Sequence, residues 1–120
     1  MYKILIIDDL SSILKIIQAQ LQSDFEVISV SNGNEALELI HTTHYDFVLC
    51  DVYLNDMNGI DIMKLCVSKQ IPVAALSGRN DAEIRLECYQ AGAIDFIVKP
   101  FPIQEFKLKI LNTLRMLKQQ

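Results

Sequence analysis

Five times along this chain a short apolar run gives way to a stretch with helical spacing, and no other feature narrows the fold as far. KILIID (3–8) is a continuous apolar run closing in acid, the pattern of a strand covered on both faces. SSILKIIQAQLQ follows, with Ile13, Leu14, Ile16, Ile17 and Leu21 on one side of a helical period. FEVISV (25–30) reads as the second strand, and Asn32, three residues before Glu35, has the capping-box spacing that opens the helix EALELIHTT. DFVLCD (46–51) is the third strand, followed by loop 52–58, Gly59 and the helix IDIMKLCVSK. PVAALS (72–77) is the fourth, after which Asn80 and Glu83 are expected to cap AEIRLECYQAG, with Gly92 at its end. DFIV (95–98) is a short fifth strand. Pro102 suits the start of a last amphipathic helix built on Phe106, Ile110, Leu114 and Leu117.

Alternation of this kind predicts an α/β architecture, a doubly wound open parallel sheet with helices on both faces. At 120 residues, half of them hydrophobic, the chain is expected to be one domain, 1–120, with a single core. A net charge of −4 supplies no basic stripe, which argues against direct nucleic-acid binding. No apolar run is long enough to span a membrane, and MYKILIIDD lacks the features of a signal peptide. Cys50, Cys66 and Cys88 form no C-x-x-C pair and read as reduced core residues of a cytoplasmic protein. Met1 suggests a natural amino terminus, and KQQ at the other end lies where a linker to an output domain would begin.

In a doubly wound sheet the ligand site lies outside the carboxyl ends of the strands. Asp8 and Asp9 stand at the end of strand one, Asp51 at strand three, Ser77 at strand four, and Lys99 directly after strand five. Clustered carboxylates repel: at an effective dielectric near 20, two like charges about 4 Å apart cost roughly 4 kcal/mol. Either one carboxyl stays protonated or a cation enters. An all-oxygen site suits Mg²⁺, while Lys99 and Ser77 can each reach a phosphate oxygen. The set is arranged to receive a phosphoryl group, with Asp51 as the candidate nucleophile.

IIDD (6–9), LCD (49–51), NG (58–59), LSG (76–78) and VKPF (98–101), in this order, resemble the receiver domain of two-component response regulators, chemotaxis regulators among them. The resemblance covers essentially the whole chain. It implies a flavodoxin-like strand order 2-1-3-4-5 with five helices, and phosphate transfer from a histidine to Asp51. It implies Mg²⁺ bound directly by Asp9 and Asp51, with Asp8 acting through water and the backbone carbonyl of Tyr53 as a further ligand. Ser77 and Lys99 would contact the phosphoryl oxygens, and Phe96 would be the switch aromatic that turns inward. A cis bond at Lys99–Pro100 is also implied. Expected partners are a sensor histidine kinase or histidine phosphotransfer protein, and an output domain or effector reached through residues 81 to 118. A phosphorylation-dependent homodimer is compatible with the charges of the last two helices.

Asn55 departs from the family's usual proline four residues after the acceptor. Tyr53 and Arg79, each two residues past a site residue, are large and expected to slow phosphate loss, while Gly78 leaves room for the phosphoryl group. His41 and His44 suit the end of a helix, Met57 and Met63 read as packing residues, and Asp56 and Asp61 as solvated charges. Two other functions compete. A haloacid-dehalogenase-like phosphohydrolase would carry an acid where Tyr53 stands, and a degenerate receiver serving as a scaffold would lack part of the chemical set.

Overall fold

The computed structural model describes residues 1–118. Strands and helices alternate strictly: β1 (Tyr2–Ile7), α1 (Ser11–Leu21), β2 (Phe25–Val30), α2 (Gly33–Thr42), β3 (Phe47–Asp51), α3 (Gly59–Ser68), β4 (Val73–Ser77), α4 (Ala82–Gln90), β5 (Asp95–Val98) and α5 (Ile103–Lys118). All strand pairs are parallel, in the order β2-β1-β3-β4-β5. The expected architecture and order are both present.

The two faces of the sheet explain why its central strands are apolar without alternation. Ile4, Ile6, Phe47, Leu49, Ala74 and Leu76 pack against Leu14 and Ile17 of α1 and Phe106 and Ile110 of α5. Their strand neighbours Leu5, Ile7, Val48, Cys50, Val73 and Ala75 pack on the other side with Ala36, Ile40, Ile62, Met63 and Cys88. Successive side chains point to opposite faces, so a strand covered on both sides has no polar position to spare. Each fully buried Ile or Leu contributes about 1.5–3 kcal/mol.

The helices begin largely where the sequence places them. The Asn32 side chain accepts from the Glu35 N–H at 2.8 Å, as the capping-box spacing requires. The cap of α4 is a correction: Asp81, not Asn80, accepts from the Ile84 N–H at 3.0 Å. Asn80 instead receives the Arg85 guanidinium. Gly92, at φ 105°, follows the end of α4 as expected. On α1, Leu14, Ile17 and Leu21 are buried, whereas Ile16 is 56 % exposed, so the apolar stripe is narrower than the sequence suggests.

Among the described residues no helix is long and apolar enough to cross a membrane. The three cysteines are free and buried, and burial pushes the Cys66 thiol up to about 12, which keeps it unreactive.

Candidate functional site

The carboxyl ends of β1, β3, β4 and β5 converge on one edge. Asp8 and Asp51, immediately after β1 and at the end of β3, are buried, and Asp9 is half-buried. Each of the three can offer an oxygen such that all lie within 4.8 Å of one another. Ser77, fully buried, ends β4. Lys99 directly follows β5 and is joined to Pro100 by a cis bond, and its Nζ donates at 2.9 Å to Asp8 Oδ2 and at 2.9 Å to Asp51 Oδ2. The chain thus brings Asp8, Asp9, Asp51 and Lys99 together, and Ser77 lies at the same edge, its backbone carbonyl accepting from the Lys99 N–H at 2.8 Å.

Their hydrogen bonds divide the labour. Asp8 Oδ1 accepts from the Leu10 N–H at 2.9 Å, so both its oxygens have protein donors. Asp51 Oδ1 accepts only a long bond from the Tyr53 N–H, 3.3 Å. Asp9 has no protein donor among the described residues. Burial raises the Asp51 carboxyl above the usual range, a shift the Lys99 ammonium opposes and the Asp8 carboxylate reinforces. Burial pulls Lys99 down, but its bonds to Asp51 and Asp8 outweigh that and hold it above its ordinary value. One ammonium balances one of two buried carboxylates, and the remaining negative charge calls for another cation. Oxygen donors only, two of them incompletely paired, fit Mg²⁺.

Close packing aims Asp51. A Cβ on Gly59 would overlap the Asp51 carbonyl oxygen, while the Gly59 N–H donates to the Val52 carbonyl at 2.8 Å. The Asn-Gly pair therefore lets α3 start against the backbone at the end of β3, with the Asn58 side chain capping the Ile60 N–H at 2.9 Å. Beside Ser77 the space a Cβ of Gly78 would enter is open.

Two residues past Asp51 and two past Ser77, the Tyr53 and Arg79 side chains meet. Arg79 Nη1 donates to the Tyr53 hydroxyl at 3.2 Å, and its guanidinium carbon lies 5.4 Å from the centre of that ring. Arg79 also pairs with Asp81, the α4 cap, at 3.0 Å. The Ser77 hydroxyl accepts from the Arg79 N–H at 3.0 Å. Phe96, expected to turn inward, already lies inward, 8 % exposed, among the residues under α3 and α4.

Two features escaped the sequence. The Tyr53–Arg79 contact spans 26 positions and has no local signal. Asp56, read as a solvated charge, is exposed yet accepts from the Gly33 and Asn34 N–H groups at 2.8 and 3.0 Å. Those bonds hold its carboxyl below the usual range. Asp61 is exposed in the first turn of α3, and His41 lies in the last turn of α2. Met63 is core, and the half-buried Met57 packs on Gly33.

Comparison with known proteins agrees with this geometry. Residues 4–111 match the response regulator receiver domain family. The transcriptional regulatory protein SrrA of Staphylococcus aureus is 37 % identical over 115 residues, covering 94 % of this chain and 48 % of that protein. The chain therefore spans about half the length of the curated relatives it matches. The receiver domain of the Francisella response regulator 1452 superposes with a TM-score of 0.89 at 28 % identity, over 98 % of this chain and 99 % of that one. A CheY-like receiver domain protein from Methanospirillum hungatei reaches 0.94 at 24 % identity, over 99 % and 98 %, which speaks for the fold alone. With residues 4–111 matched by the family and a relative 37 % identical over nearly the whole chain, this chain belongs to the response regulator receiver domains of two-component systems.

Proposed function

We propose that this chain is a Mg²⁺-dependent phosphoacceptor switch that takes a phosphoryl group from a phosphohistidine onto Asp51. The observation carrying this reading is the buried Asp51 carboxylate, 2.9 Å from the Lys99 ammonium and grouped with Asp8 and Asp9. A magnesium ion held by Asp9, Asp51 and the Tyr53 carbonyl, with Asp8 acting through water, would neutralise charge on the phosphoryl oxygens. The doubly bonded state of Asp8 favours this division of roles.

In the transfer, an Asp51 oxygen bonds to phosphorus as the donor's phosphorus–nitrogen bond breaks, and the imidazole leaves with that electron pair. Lys99 donates to one phosphoryl oxygen and the Ser77 hydroxyl to another. Because that hydroxyl also accepts from the Arg79 N–H, drawing Ser77 toward the phosphate would pull the loop before α4 with it. That helix fully buries only Cys88 among its side chains, so shifting it disturbs little packing. Phe96 would relay the change from beneath, and residues 81 to 118 would present it to an output domain, an effector or a second copy. Residues 1–120 act as one receiver unit on this reading, in the cytoplasm, with no nucleic-acid or membrane contact of their own.

The donor would be a sensor histidine kinase or histidine phosphotransfer protein. An apolar hollow of about 150 Å³ beside Lys99, lined by Ile13, Ile16, Phe101 and Ile103, offers it a docking surface. The Tyr53–Arg79 pair would obstruct water approaching the phosphorylated acceptor. Arg79→Ala is therefore expected to shorten the phosphate's lifetime severalfold, read as its decay after donor removal, with little effect on uptake.

The deciding experiment mixes the protein with a phosphorylated histidine phosphotransfer protein and follows the phosphate. Transfer of one phosphate per chain, retained before slow release, supports the switch. Many phosphates released per chain would point to a hydrolase, and none transferred to a scaffold.

A further inference from the structure

The loop between Asp51 and Gly59 must hold whatever stands beside the acceptor, yet its middle residues, Asn55 and Asp56, are exposed. Its ends are fixed by β3 and by the cap of α3. Within it, the Leu54 N–H reaches the Met57 carbonyl at a long 3.3 Å, and Tyr53 pairs with Asn58 as an isolated bridge. Val52 and Leu54 are buried, and the Val52 N–H donates to the Leu76 carbonyl at 3.0 Å, which anchors the first half of the loop. Its tie to α2 comes from Asp56, whose two oxygens take the Gly33 and Asn34 N–H groups 23 and 22 positions away.

The first N–H groups of a helix have no partner inside it, and they carry the positive end of its dipole. Charge-assisted bonds to a carboxylate are the strong way to satisfy them. Asn32 serves the Glu35 N–H, so the start of α2 has two caps, one its own and one borrowed from the loop. Alongside, Met57 covers Gly33 so closely that a Cβ there would collide with its Cγ and Sδ. Both contacts press the loop against α2. Three residues upstream of Asp56, Tyr53 offers its N–H to Asp51 Oδ1, with its carbonyl in the same short segment.

We propose that Asp56 is a positioning residue for cation binding and phosphoryl acceptance at Asp51, acting by clamping the 52–58 loop onto the N-terminus of α2. It touches neither phosphate nor metal itself. The inference rests on the phosphoacceptor reading but is separable from it. Supporting groups of this kind are worth about tenfold or more in metal affinity, and small displacements of reacting groups cost heavily in rate.

The test compares Asp56→Ala, Asp56→Asn and Asn32→Ala with the unaltered protein. Magnesium affinity of the unphosphorylated chain is measured by calorimetry, and phosphate uptake from acetyl phosphate by intact mass. Asp56→Ala should weaken magnesium binding and slow uptake by about tenfold. Asp56→Asn, which keeps one acceptor oxygen, should fall between. Asn32→Ala removes the other cap of the same helix, so it should lower the thermal midpoint while leaving magnesium affinity and uptake near those of the unaltered protein. Unchanged magnesium affinity in both folded Asp56 variants would overturn the proposal, as would Asn32→Ala matching Asp56→Ala in every readout. If the unaltered protein takes no phosphate, the phosphoacceptor reading falls, and the magnesium comparison still decides the role of Asp56.

Discussion

Lys99→Met is expected to destabilise the unphosphorylated protein by about 3 kcal/mol at neutral pH, read from urea unfolding without divalent cations. The ammonium lies 2.9 Å from both Asp8 and Asp51, with its side chain 11 % exposed. Methionine replaces most of the stem but leaves two buried carboxylates facing each other. Removing one partner of a buried ionic group costs far more than the group contributes as a whole, because the remaining charge has no counterion. The pH dependence follows in sign. Lys99 titrates above its ordinary value in the fold, so its contribution is complete below the ordinary lysine range and is lost only as pH rises through the raised value. Across the neutral range the native protein keeps all of it. In the variant, acidification should restore stability by protonating a carboxyl, and magnesium should restore it at neutral pH.

Asp51→Asn should act in the opposite direction on stability while abolishing phosphate uptake. Burial raises the Asp51 carboxyl, against the pull of Lys99. A carboxyl raised in the fold stabilises below the ordinary carboxylate range and loses that contribution as pH climbs through the raised value. At neutral pH its charge is therefore a burden on the unmodified protein. The amide is uncharged, nearly the same shape, and leaves Asp8 to pair with Lys99. A gain of a few degrees in thermal midpoint at neutral pH is expected, shrinking as pH falls. Uptake from any donor should drop to background, because no other side chain at this edge combines a carboxylate with the Lys99 contact and an oxygen left weakly paired. Together the two variants separate the acceptor from its counterion, since one change stabilises and the other destabilises.

What could be read from the sequence was whatever is local or is enforced by the sheet. Apolar runs ending in Asp8, Asp51 and Ser77 mark strand ends, and a parallel doubly wound sheet gathers such ends at one edge. Asn32 was legible as a cap because its partner, Glu35, is three residues away. The α4 cap was misplaced by one residue, since Asn80 and Asp81 are both able to cap and only the start of the helix chooses between them. Ile16 looked like core because a helical stripe in sequence has no sharp border. Asp56 and the Tyr53–Arg79 contact stayed hidden for a different reason. Their partners are more than 20 positions away, on other elements, and no spacing rule links them.

The central claim, that Asp51 is a metal-dependent phosphoacceptor, is tested most directly by intact mass after incubation with a small phosphodonor, with and without magnesium, followed by mapping of the modified peptide. A single phosphate that appears only with magnesium and lies on Asp51 is the predicted result. A folded protein that remains unmodified under both conditions, or carries its phosphate on another residue, would contradict it.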